Sequence, residues 1–330
     1  MKGTRKSRIW IATFLVFLTA ASTGPTAQAA TSGTLDPHAL RKLAWQGRRY
    51  EVASGESVKV VVSPSYAADS GTGQRWADFF ASLVHGPELS LLTAYIAPLD
   101  EVQALCHGSD VLGCYQGNRL VTIGEPADGV SPQSVAAHEY GHHIAYNRVN
   151  PPWIAVDWGT KRWATYENVC ARTGAGTAFP GNEGLTYSLN PGEAFAESFR
   201  VLNGYGTEDW SVVDPSFRPD STALSLLRED VVDPWTQPPV RTINARFRSA
   251  SSWTLRLTTP LDGDLVARVT QGTDDLALMS ADGRTLLARG TWSTGGAKAV
   301  GYRVCGQRTV LLRVTRHTSS RRFTVRLSVP

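Results

Sequence analysis

Long apolar runs are absent from this 330-residue chain beyond its first two dozen residues, so no later segment is expected to span a membrane. Cysteine is scarce: the four present lack any C-x₂-C spacing, which argues against a structural zinc site built on thiolates. No stretch resembles a nucleic-acid-binding motif, so no nucleic acid is expected as a partner.

What the chain does have begins at its N-terminus. Lys2, Arg5, Lys6 and Arg8 form a charged region, and residues 9–21 an apolar one too short for a bilayer. Ala27-Gln28-Ala29 supplies a small-x-small cleavage pattern. Residues 1–29 are therefore expected to be a secretory signal, and the mature protein extracellular. The whole chain has 33 Lys/Arg and 29 Asp/Glu, but the four basic residues of the signal account for the excess. The remainder is divided: residues 30–238 hold 14 basic against 24 acidic side chains, and residues 239–330 hold 15 against 5. Such asymmetry points to two domains, 30–238 and 239–330. Either they dock on each other, or the C-terminal part meets an anionic surface.

The chemistry concentrates in His138-Glu139-Tyr140-Gly141-His142, an H-E-x-x-H motif. Ser131 can cap a helix and Pro132 suits its first position. On that helix His138 and His142 lie one turn apart on one face, so two imidazoles can converge on one metal. Glu139 sits about 100° round the helix, within reach of a water as general base. Gly141 and the small residues Ala136 and Ala137 suit tight packing.

A catalytic zinc site takes a third protein ligand and keeps one position open. A third histidine downstream, on the pattern H-E-x-x-H-x-x-G-x-x-H, would require Gly and His where Ala145 and Arg148 stand, so that solution is excluded. The segment Asn190-Pro191-Gly192-Glu193-Ala194-Phe195-Ala196-Glu197 reads as a second capped helix, with Glu193 and Glu197 one turn apart. Glu193, in the first turn, is the expected ligand. Glu197 is the alternative, or else accepts the free N–H of a ligating histidine. The plain structural reading is a capping-box Glu193 and a Glu197–Arg200 surface pair.

His-Glu-x-x-His followed by Glu-x-Phe-Ala-Glu resembles the gluzincin metallopeptidases, and within them the catalytic core of the anthrax lethal factor type. The similarity covers about residues 130–205. It implies a zinc site of His138, His142 and Glu193, with Glu139 as general base. It also implies that Tyr187 is the tyrosine that steadies the reaction's oxyanion. The toxin's delivery and recognition domains have no counterpart here, so its substrate does not carry over.

Around the motifs, residues 30–56 read as polar and irregular. Strands are expected over 58–62, 89–96 and 119–123, and helices over 74–83, 161–171 and 220–230. Together these make an α+β zincin-like domain whose edge strand can pair with an extended peptide. Trp153, Trp158 and Trp163 are read chiefly as core. After Gln237-Pro238-Pro239 come eight short alternating runs separated by Asp262-Gly263, Asp282-Gly283 and Gly295-Gly296, the pattern of an all-β sandwich. Asp274-Asp275-Leu276-Ala277-Leu278, Gly301-Tyr302-Arg303-Val304-Cys305 and the closing Phe323-Thr-Val-Arg-Leu run resemble the bacterial pre-peptidase C-terminal domain. In an exported chain the cysteines are disulfide candidates, Cys106–Cys114 first, with Cys170 and Cys305 either bridged or free.

The function expected is a secreted zinc metalloendopeptidase acting on protein or peptide. A zinc amidase cleaving cell-wall peptides is one alternative. A non-catalytic surface-binding protein that uses the basic sandwich is the other, against which the intact Glu139 speaks.

Overall fold

The computed structural model describes residue 35 and residues 45–206, 213–269, 275–292, 297–306, 309–317 and 319–330. The expected signal segment and the Gly295-Gly296 turn lie outside the described residues. The first sheet is built from β1 (Gln46–Glu51), β2 (Ser57–Val62), β3 (Thr93–Ala97), β4 (Gly113–Gln116) and β5 (Arg119–Ile123) in the order β1-β2-β3-β5-β4. The inner pairings β2–β3 and β3–β5 are parallel, and the edge strands β1 and β4 run antiparallel to their neighbours.

Valine alternation explains β2, where Val58 and Val60 are fully buried on one face. β1 falls within the stretch read as irregular. Its Arg48 and Arg49 hide the alternation, as charged residues do on strands that form a sheet edge. The strand expected over 89–96 begins only at Thr93, because Pro87–Leu91 winds into a 3₁₀ turn that drives Leu89 into the core.

Among the described residues eight helices follow in this region. They are α1 (Thr72–Ser82), α2 (Leu99–Cys106), α3 (Pro132–Tyr146), α4 (Ala155–Trp158), α5 (Lys161–Tyr166), α6 (Val169–Gly174), α7 (Pro191–Leu202) and α8 (Ser221–Val232). The single helix expected over 161–171 is two, broken where Asn168 turns left-handed at φ 54°. Trp163 is core, edge-on to Phe195, whereas Trp153 stacks on Trp158 near the surface. The Cys106–Cys114 bridge is present, with Cα atoms 5.9 Å apart, and ties the end of α2 to edge strand β4.

The C-terminal region carries two antiparallel sheets. Their strands are β6 (Arg241–Arg246), β7 (Ser252–Thr258), β8 (Gly263–Val269), β9 (Asp275–Ser280), β10 (Leu286–Arg289), β11 (Thr291–Trp292), β12 (Lys298–Val304), β13 (Thr309–Thr315) and β14 (Arg322–Ser328). One sheet runs β10-β9-β13-β7 and the other β11-β12-β8-β14-β6. Inward residues of both, among them Leu265, Leu278, Leu312 and Val325, share a core separate from that of the first region.

The two regions meet without an ion pair among the described residues, despite their opposite charges. Cys170 on α6 is bridged to Cys305, just past β12. The Asp262 amide donates to Thr165 Oγ1 at 3.1 Å, and Gln237 Nε2 to the Val329 carbonyl at 2.8 Å. Lys161 is buried at this junction, its ammonium donating to the Pro151 carbonyl at 2.8 Å and lying 4.8 Å from the centre of the Trp235 ring.

Burial lowers the Lys161 pKa to about 8, against the pull of Asp262, Asp264 and Asp230. Below pH 8 the ammonium is charged in both folded and unfolded chains, and folding bears the full cost of burying it. Between about 8 and the ordinary 10.5 only the unfolded chain keeps the proton, so stability rises with pH. Lys161→Met should remove that rise, a difference of about 3 kcal/mol across the window, read from denaturant unfolding at pH 7.5 and 10.5. Parallel pH profiles for the two proteins would count against a buried charge.

Candidate metal centre

α3 and α7 each start as their sequences dictate. Ser131 Oγ accepts from the Ser134 amide at 3.2 Å ahead of Pro132, and Asn190 Oδ1 from the Gly192 amide at 3.0 Å ahead of Pro191. The helices cross at Gly141, where a Cβ would stand 2.7 Å from the Cα of Ala196. No backbone can yield that much locally, so glycine sets the separation of the helices. Gly141→Ala should cost about 1–3 kcal/mol of stability and weaken metal retention, checked by unfolding and metal content. Unchanged values would mean that the crossing has slack.

That crossing brings together three of the residues singled out from sequence. One nitrogen each of His138 and His142 and one oxygen of Glu193 all lie within 4.8 Å of one another, a group able to hold a metal ion. His138 Nε2 is 3.2 Å from Glu193 Oε2, and His142 Nε2 is 3.4 Å from Glu193 Oε1. The three side chains keep 12 %, 7 % and 2 % of their surface exposed. His142 Nε2 has no hydrogen-bond partner. A buried imidazole nitrogen without a partner, facing a carboxylate and a second imidazole, fits a cation. Two nitrogens and one carboxylate oxygen are the donor set of an open catalytic zinc site.

Glu197 is not in the group. Its Oε2 lies 3.8 Å from His138 Nδ1, the nitrogen turned away from the cluster, and accepts from Arg200 Nε. Arg200 also donates to Ser134 Oγ at 3.2 Å and to the Gly206 carbonyl at 3.1 Å. The Glu197–Arg200 pair of the plain structural reading thus exists, but it is buried rather than on the surface. Burial opposes charge on His138, yet Glu193 and Glu197 hold its pKa well above the ordinary value. Burial likewise opposes charge on Glu193, and His142 and His138 pull it well below.

Glu139 is 1 % exposed, its Oε2 has no partner, and burial pushes its pKa up to about 7. Directly over it runs β4. A Cβ on Gly113 would come within 2.9 Å of Glu139 and 2.8 Å of Val135, so only glycine lets the edge strand pass so close. The edge strand beside the centre is therefore residues 113–116. The expected strand 119–123 lies one place inward. Tyr187 is buried in a short 3₁₀ turn (Tyr187–Leu189), and its hydroxyl donates to Glu193 Oε2 at 2.6 Å. All five residues named from sequence, His138, Glu139, His142, Tyr187 and Glu193, share this site.

Four neighbours carry no motif signal. His143, fully buried, donates from Nε2 to the Glu88 carbonyl at 2.8 Å, leaving Nδ1 to accept from Tyr115; burial lowers its pKa to about 4. It is a structural histidine beside the pair able to hold a metal. Half-buried Asp157 has its pKa raised by burial and lowered by His142. Exposed Glu183 accepts from Asn190 Nδ2 at 3.1 Å. Arg148, at the position where a third histidine would stand, instead pairs with buried Glu88 at 2.7 Å and donates to the Asp230 and Val231 carbonyls of α8.

In comparisons with known proteins, no family model matches the chain and no curated protein aligns with it.

Proposed function

We propose that the chain is a secreted zinc-dependent metalloendopeptidase of the gluzincin kind. The observation that carries the reading is the closed group of His138, His142 and Glu193 with Glu139 between it and an edge strand. The two disulfides and the absence, among the described residues, of a helix long and apolar enough to cross a membrane accord with an exported protein. A zinc ion held by the three residues would supply Lewis-acid chemistry, polarising a carbonyl and making water acidic near neutral pH.

The chain's own residues do the rest. An extended peptide pairs with the free edge of β4, which sets its scissile bond over Glu139. The Glu139 carboxylate takes a proton from water as the water oxygen adds to the carbonyl carbon. It returns that proton to the amide nitrogen as the C–N bond breaks. Tyr187, by turning from Glu193, donates its hydroxyl to the developing oxyanion.

The purified mature chain should contain one zinc by elemental analysis. Casein cleavage should vanish on treatment with 1,10-phenanthroline and return on adding back zinc. Folded protein that takes up no metal, or cleavage indifferent to the chelator, would overturn the reading. Release of fragments from purified cell wall without any from casein would favour the amidase alternative.

A further inference from the structure

The charge of the C-terminal region is laid out in a pattern that the proposed peptidase chemistry does not use. Along β14, Arg322, Thr324, Arg326 and Ser328 alternate with buried Phe323, Val325 and Leu327, so the first four share the outer face of their sheet. The strand register then sets Arg322 directly opposite Arg246 on β6, and Arg326 directly opposite Arg268 on β8. All four are exposed, and none has an ion pair among the described residues.

Like charges facing each other across a ladder, about 5 Å apart, destabilise a sheet. Here two such pairs stand about 13 Å apart along β14. Between and beside them the side chains are short: Asn244 pairs with Thr324, Ala299 with Arg268, and Gly301 with Val266. Thr324 Oγ1 donates to Asn244 Oδ1 at 2.9 Å, which holds the floor level. At one end Arg246, Arg248 and Arg321 also line a hollow of about 820 Å³.

Among the described residues the acidic N-terminal region places no carboxylate in an ion pair with this face. Its contacts with the sandwich, among the described residues, gather around Asp262, Gly263, Cys305 and Val329, with Arg303 5.7 Å from the Trp153 ring, and none of these involves the four arginines.

We infer that this face binds an anionic polysaccharide, whose sulfate, phosphate or carboxylate groups fall along the rows of paired arginines. Charge complementarity selects a polyanion, because only repeated negative groups offset both repelling pairs at once. The surface disfavours nucleic acid. The face of a five-stranded sheet is wider than the two-stranded ribbon that a major groove admits, and single strands are held by stacking on exposed aromatics. The rings nearby, Phe247 and Trp253, both pack against Phe323; Phe247 is buried, and half-buried Trp253 shows only part of its ring to the hollow, so no row of stacking platforms follows the arginines. Such binding would hold the enzyme on a charged glycan matrix while leaving β4 and the metal centre free.

The test uses the full mature chain with dextran sulfate as probe. Arg246, Arg268, Arg322 and Arg326 are replaced together by Thr. A second variant, carrying Arg256→Thr, Arg284→Thr, Arg289→Thr and Arg313→Thr, loses the same charge from the other sheet and its turns. The first variant should bind at least about tenfold more weakly, with a log–log salt slope shallower by about 3; the second should change less than about twofold. The first variant should also melt no lower than the parent at low salt, since cross-strand repulsion is relieved. Equal losses in both variants, no loss in the first, or a lower melting point in the first would each overturn the assignment. So would tighter binding of a 30-nucleotide oligothymidine than of dextran sulfate.

Discussion

Glu139→Gln should retain zinc and lose peptide hydrolysis by roughly two to four orders of magnitude, the range of a single general base. The substitution is nearly isosteric, and Glu139 lies outside the group of His138, His142 and Glu193, so neither fold nor metal should suffer. Its Oε2 has no protein partner, so the carboxylate's proton affinity is not committed elsewhere. Turnover of a fluorogenic peptide at matched zinc content measures the effect. A folded, zinc-loaded variant with near-parent activity would sink the mechanism. Glu193→Gln and Glu197→Gln separate the two acids of α7. The first should empty the site. The second should weaken retention by about 10–100-fold at most, because Glu197 acts on the outer nitrogen of His138. If only the Glu197 change emptied the site, the assignment of the third ligand would be reversed.

Motif residues were legible because helix geometry converts spacing into direction. His138 and His142 face one way at i and i+4, and Asn190-Pro191 dictates where α7 starts and hence which acid lies in its first turn. The order of the acids from the cluster follows: Glu193 inside it, Glu197 one turn back. The sandwich was likewise readable from alternation, eight runs against nine strands among the described residues, the two-residue β11 being too short to show a pattern.

Other features had no local signature. α2 and the polar edge strand β1 depend on tertiary partners, Leu105 packing under the sheet and β1 pairing with β2. The role of Arg148 needs Glu88, sixty residues away in sequence, and the close pass of Gly113 over Glu139 needs the sheet order. The opposite charges of the two regions suggested electrostatic docking, but charge counts do not say where side chains point. The registers of β6, β8 and β14 do, and they set four arginines on an outer face.

Removing the Cys170–Cys305 bridge should lower stability by about 3–5 kcal/mol and leave catalysis almost unchanged. The bridge spans 135 residues, a loop long enough for the chain-entropy account to give about 5 kcal/mol, from which any distortion in the native state is subtracted. Among the described residues the other links at the junction are few: the Asp262–Thr165 and Gln237–Val329 hydrogen bonds, Arg303 over the Trp153 ring and the packing around Lys161. The covalent tie therefore carries much of the attachment. None of His138, Glu139, His142, Tyr187 and Glu193 belongs to α6 or to the sandwich, and α3 and α7 are fixed to each other through Gly141 and Ala196. Cys170→Ala/Cys305→Ala protein should thus bind one zinc and cleave a small unstructured peptide within about tenfold of the parent at 25 °C, a barrier change of roughly 1.4 kcal/mol. Denaturant unfolding and peptide turnover, compared at equal zinc occupancy, give the two readouts. A chain ending near Trp235 extends the same comparison, and should show the same division between stability and chemistry. A folded, zinc-loaded variant without activity would mean that the sandwich helps to shape the cleft around β4, and the separation of roles between the two regions would fail.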